Sequence, residues 1–133
     1  MAGILPPELG KKTPLKIEGL FLELDGTFPN HMANPLIFEN LSDLIRLVKD
    51  NKLDCGVAFD GDGDRGFFVD EAGIPVTGSV LGALLITHIL RDNPGATILY
   101  NAICSRIVPE TIEKLGGKGI RTRDGHGFIK ADM

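Results

Sequence analysis

The stretch with the clearest chemical potential is Asp60-Gly61-Asp62-Gly63-Asp64-Arg65, where three aspartates alternate with two glycines. Three carboxylates this close together repel one another. Arg65 is the only adjacent cation, so the group needs a further positive charge or full solvation. Hard oxygen donors of this kind suit Mg2+ or Ca2+. The intervening glycines let the backbone bend so that all three side chains can converge on one ion. Zinc is disfavoured, because no cluster of histidines and cysteines lies nearby. Arg65 adds a planar cation shaped to meet a phosphate oxygen. The plain alternative is a solvated acidic turn, but the position directly after an apolar run, Leu53 to Phe59, favours a metal loop.

A calcium loop of the EF-hand type is the main rival. Asp60, Asp62, Asp64, Phe67 and Glu71 fall at positions 1, 3, 5, 8 and 12 of such a loop. Two features count against it. Arg65 stands at the sixth position, where the sharp turn wants glycine. The flanks also fail, since Leu53 to Phe59 reads as a strand and Ile74-Pro75-Val76 cannot continue a helix.

The elements that must hold this loop follow from periodicity. Residues 1–16, with three prolines, read as loop with one helical turn. Ile17 to Leu24 reads as a strand, stopped by the turn signal Asp25-Gly26. The polar stretch Thr27 to Pro35 reads as extended loop. Leu41, Leu44, Ile45 and Val48 recur at helical spacing behind Asn40, a candidate N-cap. Gly66 to Asp70 and Ile74 to Thr77 flank Glu71-Ala72-Gly73 as a hairpin. A second helix starts near Ser79, with Val80, Leu84 and His88 on one line, Leu81, Leu85 and Ile89 on the next, and Asn93-Pro94-Gly95 as its stop. Thr97 to Asn101 reads as a strand. Pro109 suits the first turn of a third helix, which carries Ile112 and Leu115 and ends at Gly116-Gly117. Lys118 to Thr122 reads as a last strand before the turn at Asp124-Gly125. Strands alternate with helices at short spacing, which predicts an α/β fold with a mixed, mostly parallel sheet and flanking helices.

Bulk properties narrow the function classes. The chain has 133 residues, 43% hydrophobic and 24% charged, a globular balance for one domain or parts of two. A formal charge of −4 argues against a general nucleic-acid binder. Residues 1–7 lack the basic flank and long apolar core of a signal peptide, and the apolar run Val80 to Leu90 is too short to span a bilayer. A cytoplasmic protein without membrane partners is expected. Cys55 and Cys104 each lie in or beside an apolar run and read as buried, reduced thiols.

Ala58-Phe59-Asp60-Gly61-Asp62-Gly63-Asp64-Arg65 closely resembles the magnesium loop of the α-D-phosphohexomutases, the phosphomannomutase/phosphoglucomutase family. Other segments agree in order. Leu24-Asp25-Gly26-Thr27-Phe28-Pro29-Asn30-His31 is similar to the family segment upstream of that loop. Asn40-Leu41 opens the expected helix, and Asp70-Glu71-Ala72-Gly73 resembles the family hairpin. Arg121 to Lys130 resembles the family's Gly-His segment. The resemblance runs from about Ala2 to Met133.

The resemblance implies enzymes with four domains around a cleft. In them a phosphoserine passes its phosphoryl group to a hexose phosphate, and the bisphosphate intermediate reorients and returns the other one. It implies Mg2+ at Asp60, Asp62 and Asp64, Arg65 on the transferring phosphate, and Gly125, His126 and Lys130 toward a mannose or glucose phosphate. His31 and His88 receive no catalytic role; His88 fits a helix face packed on the core. Residues 1–77 would be most of the second family domain and residues 78–133 the first half of the third.

Parts of the family pattern are missing. Ser42, Ser79 and Ser105 are the only serines, and none sits in the Ser-His-Asn-Pro context of the nucleophile. The sugar-selecting Gly-Glu loop and the phosphate-clamping domain have no counterpart. Ile103 stands where many members carry lysine. The chain reads as a fragment without turnover of its own, of low stability, and prone to associate through exposed sheet edges. The alternative is a non-catalytic Mg2+/Ca2+- or sugar-phosphate-binding module, completed by a partner chain.

Overall fold

The computed structural model of the chain describes residues 5–23 and 25–133, with the side chains of Leu5, His126 and Asp132 outside that description. The expected contributions of Ala2 and Leu24 therefore lie outside the described residues. The chain divides into two compact units, Met1–Val76 and Thr77–Met133.

The first unit opens with helix α1, Leu5–Lys12, longer than the single turn expected. Pro6 and Pro7 occupy its first turn, where a missing N–H is harmless. Glu8 and Lys11 pair across one turn at 2.8 Å. The segment expected as a strand from Ile17 is not one. Among the described residues, no regular element forms between α1 and a 3-10 turn at Phe38–Leu41. Phe21 sits at φ 53, a left-handed conformation that no strand accommodates, and no neighbouring strand pairs with this stretch among the described residues.

Helix α2, Ser42–Asn51, carries the predicted apolar face, with Leu41 and Val48 buried and Leu44 and Ile45 half-buried. Asn40 does not cap it. Its Nδ2 donates instead to the carbonyls of Met32 and Asn34, both at 2.9 Å, which ties the irregular segment to the helix entry. Lys52 closes the helix in the left-handed region at φ 52.

Three strands follow: β1 Cys55–Phe59, β2 Gly66–Asp70 and β3 Pro75–Val76. They form an antiparallel meander in the order β1-β2-β3, with Phe59 opposite Gly66 and Phe68 opposite Val76. The expectation of mostly parallel pairing fails in this unit. The connections are too short for the crossover that parallel neighbours need. Gly73, at φ 80, makes the second turn, and Asp70 Oδ1 accepts from the N–H groups of Ala72 and Ile74. Helix α2 packs on this sheet, burying Val48 and Val69 completely. Cys55 is exposed, contrary to the buried thiol expected, because it begins β1 before the strand turns under the helix.

The second unit is α/β with parallel pairing. Helix α3, Gly78–Asp92, is capped by Thr77, whose hydroxyl accepts from the Val80 N–H at 3.4 Å. Strand β4, Thr97–Asn101, and strand β5, Lys118–Thr122, lie parallel, joined by helix α4, Ile107–Lys114. Helix α5, His126–Asp132, ends the chain. Ile86 and Leu90 of α3 meet Val108 and Ile112 of α4 in a core flanked by Ala96, Ile98, Tyr100 and Cys104. The buried line of α3 is thus Ala83, Ile86 and Leu90. Val80, Leu84 and His88 face outward, as do Leu85 and Ile89, so His88 does not pack on the core. Its Nε2 lies 3.5 Å from Arg91 Nη2. No described helix is long and apolar enough to cross a membrane.

Candidate metal centre

The acidic loop is the tip joining β1 to β2. Its ends are locked by local bonds: the Asp60 N–H donates to the Arg65 carbonyl at 3.3 Å and the Gly63 N–H to the Asp60 carbonyl at 3.1 Å. The Arg65 N–H returns to Asp60 Oδ1 at 3.2 Å. Gly63 takes φ 73, the left-handed turn that glycine accepts without a Cβ clash. This closure brings one carboxylate oxygen from each of Asp60, Asp62 and Asp64 within 4.8 Å of one another. Asp60 is buried, while Asp62 and Asp64 are exposed. The flanking elements are strands, which removes the EF-hand reading, since that loop sits between helices.

Arg65 serves this cluster from within. Its Nε donates to Asp64 Oδ1 at 3.1 Å and lies 2.5 Å from Asp60 Oδ2. The second contact is an ion pair without hydrogen-bond alignment, so Asp60 Oδ2 is buried with no hydrogen-bond partner. Burial alone would push the Asp60 carboxyl up. The Arg65 N–H, the Arg65 charge and the neighbouring Asp64 outweigh it, and its pKa falls below the usual carboxylate value. Asp64 and Asp60 in turn raise the Arg65 guanidinium. A buried, ionised carboxylate oxygen that is ion-paired to Arg65 but receives no aligned hydrogen bond keeps lone-pair capacity for a hard cation. Asp60, Asp62 and Asp64 can therefore hold a metal ion, with Arg65 beside it.

The segment before α2 backs the loop. A Cβ on Gly61 would lie 3.7 Å from Phe28 Cζ and 3.8 Å from the Ala33 methyl. Phe28 itself holds φ 51. Asp25 Oδ1 secures that turn by accepting from the N–H and the hydroxyl of Thr27, and the Phe28 N–H donates to the Asp25 carbonyl at 3.1 Å. The Thr27 bonds pull the Asp25 carboxyl below its ordinary value. The sequence placed Phe28 in a polar loop without a role. The signals available were its position among turn formers and its place in the segment that resembles the family stretch upstream of the loop.

The remaining candidate residues belong to the second unit. Gly125, at φ 114, precedes α5, and its carbonyl accepts from the Phe128 and Ile129 N–H groups. His126 begins that helix, with its side chain outside the described residues, and Lys130 is exposed on it. The turn carrying Gly125 follows the carboxyl end of β5, next to the carboxyl end of β4, the usual ligand edge of parallel strands. Sequence reasoning missed what fixes this turn: Asn101 Nδ2 at the end of β4 donates to Asp124 Oδ1 at 3.1 Å. Arg123 stacks over the Phe128 ring at 4.4 Å. Ile103 is exposed just after β4, an apolar side chain where the resemblance placed lysine.

Residues 2–73 match the family described as phosphoglucomutase/phosphomannomutase, alpha/beta/alpha domain II. The phosphomannomutase of Methanocaldococcus jannaschii is 49% identical over 82% of this chain and 24% of its own length. The phosphomannomutase/phosphoglucomutase of Pseudomonas syringae pv. tomato is 41% identical over 99% of this chain and 28% of its own. A crystal structure of a phosphoglucomutase/phosphomannomutase family protein from Burkholderia thailandensis superposes with a TM-score of 0.91 at 36% identity, covering 98% of this chain and 29% of that one. The chain spans less than a third of the relatives it matches. With more than half of its residues inside one family model and the acidic loop within that stretch, the chain belongs to the phosphoglucomutase/phosphomannomutase family.

Proposed function

We propose that the chain is the metal-carrying portion of a phosphohexomutase, an intramolecular phosphotransferase that interconverts hexose 1-phosphate and hexose 6-phosphate. The observation carrying this reading is the convergence of three carboxylates on one point, with the buried Asp60 Oδ2 ion-paired to Arg65 and receiving no aligned hydrogen bond. Asp60, Asp62 and Asp64 would hold Mg2+, which supplies charge neutralisation for a phosphoryl group. Arg65 keeps its charge at any working pH and offers its remaining donors to a phosphate oxygen. Gly125, His126 and Lys130 would face the sugar phosphate. The two units would correspond to the second family domain, residues 1–77, and the first half of the third, residues 78–133. A cytoplasmic setting suits hexose phosphate substrates.

The serines speak for a divided activity. Ser42 Oγ donates to the Glu39 carbonyl at 2.7 Å, and Ser79 Oγ accepts from the Ser105 N–H at 3.0 Å. Both serve helix ends, and neither is set up as a nucleophile beside a base. The chain is therefore proposed to bind metal without turnover of its own. Calorimetric titration of Mg2+ into the wild type and Asp62→Asn tests this: the variant should lose affinity by about tenfold or more. Equal binding by both would sink the assignment. Mutase turnover by the chain with glucose or mannose 1-phosphate and a bisphosphate activator would overturn the inactive reading. A strong preference for Ca2+ over Mg2+ would favour a non-catalytic binding module instead.

A further inference from the structure

We propose that Phe28 is a positioning residue for the metal loop, holding Gly61 so that Asp60 and Asp62 converge. The inference rests on the reading of the acidic loop as a Mg2+ site. Gly61 lies between two of the ligands, and among the described residues a Cβ placed on it would meet the edge of the Phe28 ring at 3.7 Å and the Ala33 methyl at 3.8 Å.

A bulky aromatic residue at φ 51 is unfavourable by itself and persists only where its surroundings impose it. Here the Asp25 bonds impose it, and further contacts fix the chain that follows. Asp25 Oδ1 fixes Thr27 through two bonds, and the Asp25 carbonyl accepts from the Phe28 N–H. On the far side His31 stands edge-on to Phe21, with ring centroids 5.6 Å apart. Asn40 then binds the Met32 and Asn34 carbonyls on either side of Ala33. These bonds hold an otherwise irregular segment against one glycine of the acidic loop. Phe28 remains about 40% exposed, so burial of its ring is a weak reason for keeping the strained turn. Its place beside Gly61, at the distance a Cβ there would touch, is the stronger one.

A glycine flanked by two ligands is a free point of the loop. A ring standing beside Gly61 narrows its alternative backbone paths, so the carboxylates lose less freedom when they close on an ion. Phe28 would act through loop geometry and touch neither metal nor substrate.

The test separates geometry from stability. Phe28→Gly relieves the left-handed strain and deletes the ring, so it should be at least as stable as Phe28→Ala. Both should nevertheless bind Mg2+ more weakly than wild type, by roughly three- to tenfold in Kd. Phe28→Tyr keeps the ring and should restore wild-type affinity. Calorimetric Kd values are read beside urea midpoints for the 133-residue chain. Wild-type affinity in Phe28→Gly would overturn the proposal, as would failure of Phe28→Tyr to rescue. If Asp62→Asn leaves binding unchanged, the metal reading itself falls and takes this inference with it. If Asp62→Asn abolishes binding while Phe28→Gly does not alter it, only the positioning role falls.

Discussion

Gly56 offers the sharpest test of how β1 is held beneath α2. A Cβ placed there would lie 2.8 Å from Val48 Cγ2, 2.9 Å from Leu44 Cδ1 and 3.0 Å from Leu44 Cγ. Val48 is fully buried and β-branched, with one strongly preferred rotamer in a helix, so it cannot swing aside. Overpacking of this kind destabilises by about 1–3 kcal/mol. Gly56 has no left-handed φ, so alanine also restricts the unfolded chain, which returns about 0.4–1 kcal/mol. The expected net loss for Gly56→Ala is about 0.5–2 kcal/mol. Urea unfolding followed by far-UV circular dichroism measures it. Val48→Ala removes the clashing methyl, so the double variant should be more stable than the sum of single losses predicts, by at least about 0.5 kcal/mol of coupling. Because β1 runs directly into Asp60, the single variant should also weaken Mg2+ binding and the double variant recover part of it. A neutral or stabilising Gly56→Ala, or additive single effects, would refute the close docking of α2 on β1.

Three further outcomes follow from the same geometry. Gly63→Ala should destabilise the loop by about 1–2 kcal/mol, because φ 73 disfavours any Cβ. Gly61→Ala meets only ordinary contacts and should be nearly neutral; thermal melts of the two compare them directly. Ile112→Ala empties the best-buried position of the second unit, 1% exposed, and should lower stability by about 2–5 kcal/mol in urea. Asp25 has its pKa lowered by the Thr27 backbone and side-chain bonds. Its contribution is present above the unfolded value of 3.8 and is lost as pH falls through the lower folded value. Asp25→Asn should therefore flatten acid unfolding below pH 3.8, and an unchanged acid limb would contradict this.

The acidic loop was legible because its information is local: five consecutive residues carry both the donors and the glycines that converge them. The hairpin at Glu71-Ala72-Gly73 and strands β2, β4 and β5 were legible for the same reason, since turn residues bracket each one. Pairing direction was harder. Nothing within Leu53 to Phe59 says that its neighbour returns antiparallel through a six-residue tip. The buried side of α3 was also hidden. Apolar residues occur around its whole circumference, so periodicity allowed several faces, and only the positions of α4 and β4 selected Ala83, Ile86 and Leu90. Ile17 to Leu24 has strand-like composition, but a strand exists only with a partner, and a single segment cannot reveal whether one is present. Asn40 was misread as a cap because its bonds reach back to Met32 and Asn34, a contact that helix-start patterns do not encode.

The β1–β2 tip has a consequence for how this site comes into being. All three acidic donors lie within five residues, between strands whose first pair, Phe59 and Gly66, closes a short ring. Closing so short a ring involves little chain entropy and belongs to the fast, local events of folding. The backing from Phe28 and Ala33 arrives from about thirty residues away. If the tip holds a cation as proposed, a nascent or partly unfolded chain would bind it loosely and tighten its grip only as the distant segment docks. On the proposed reading of the loop, Mg2+ affinity would then report whether the fold around the hairpin has been completed.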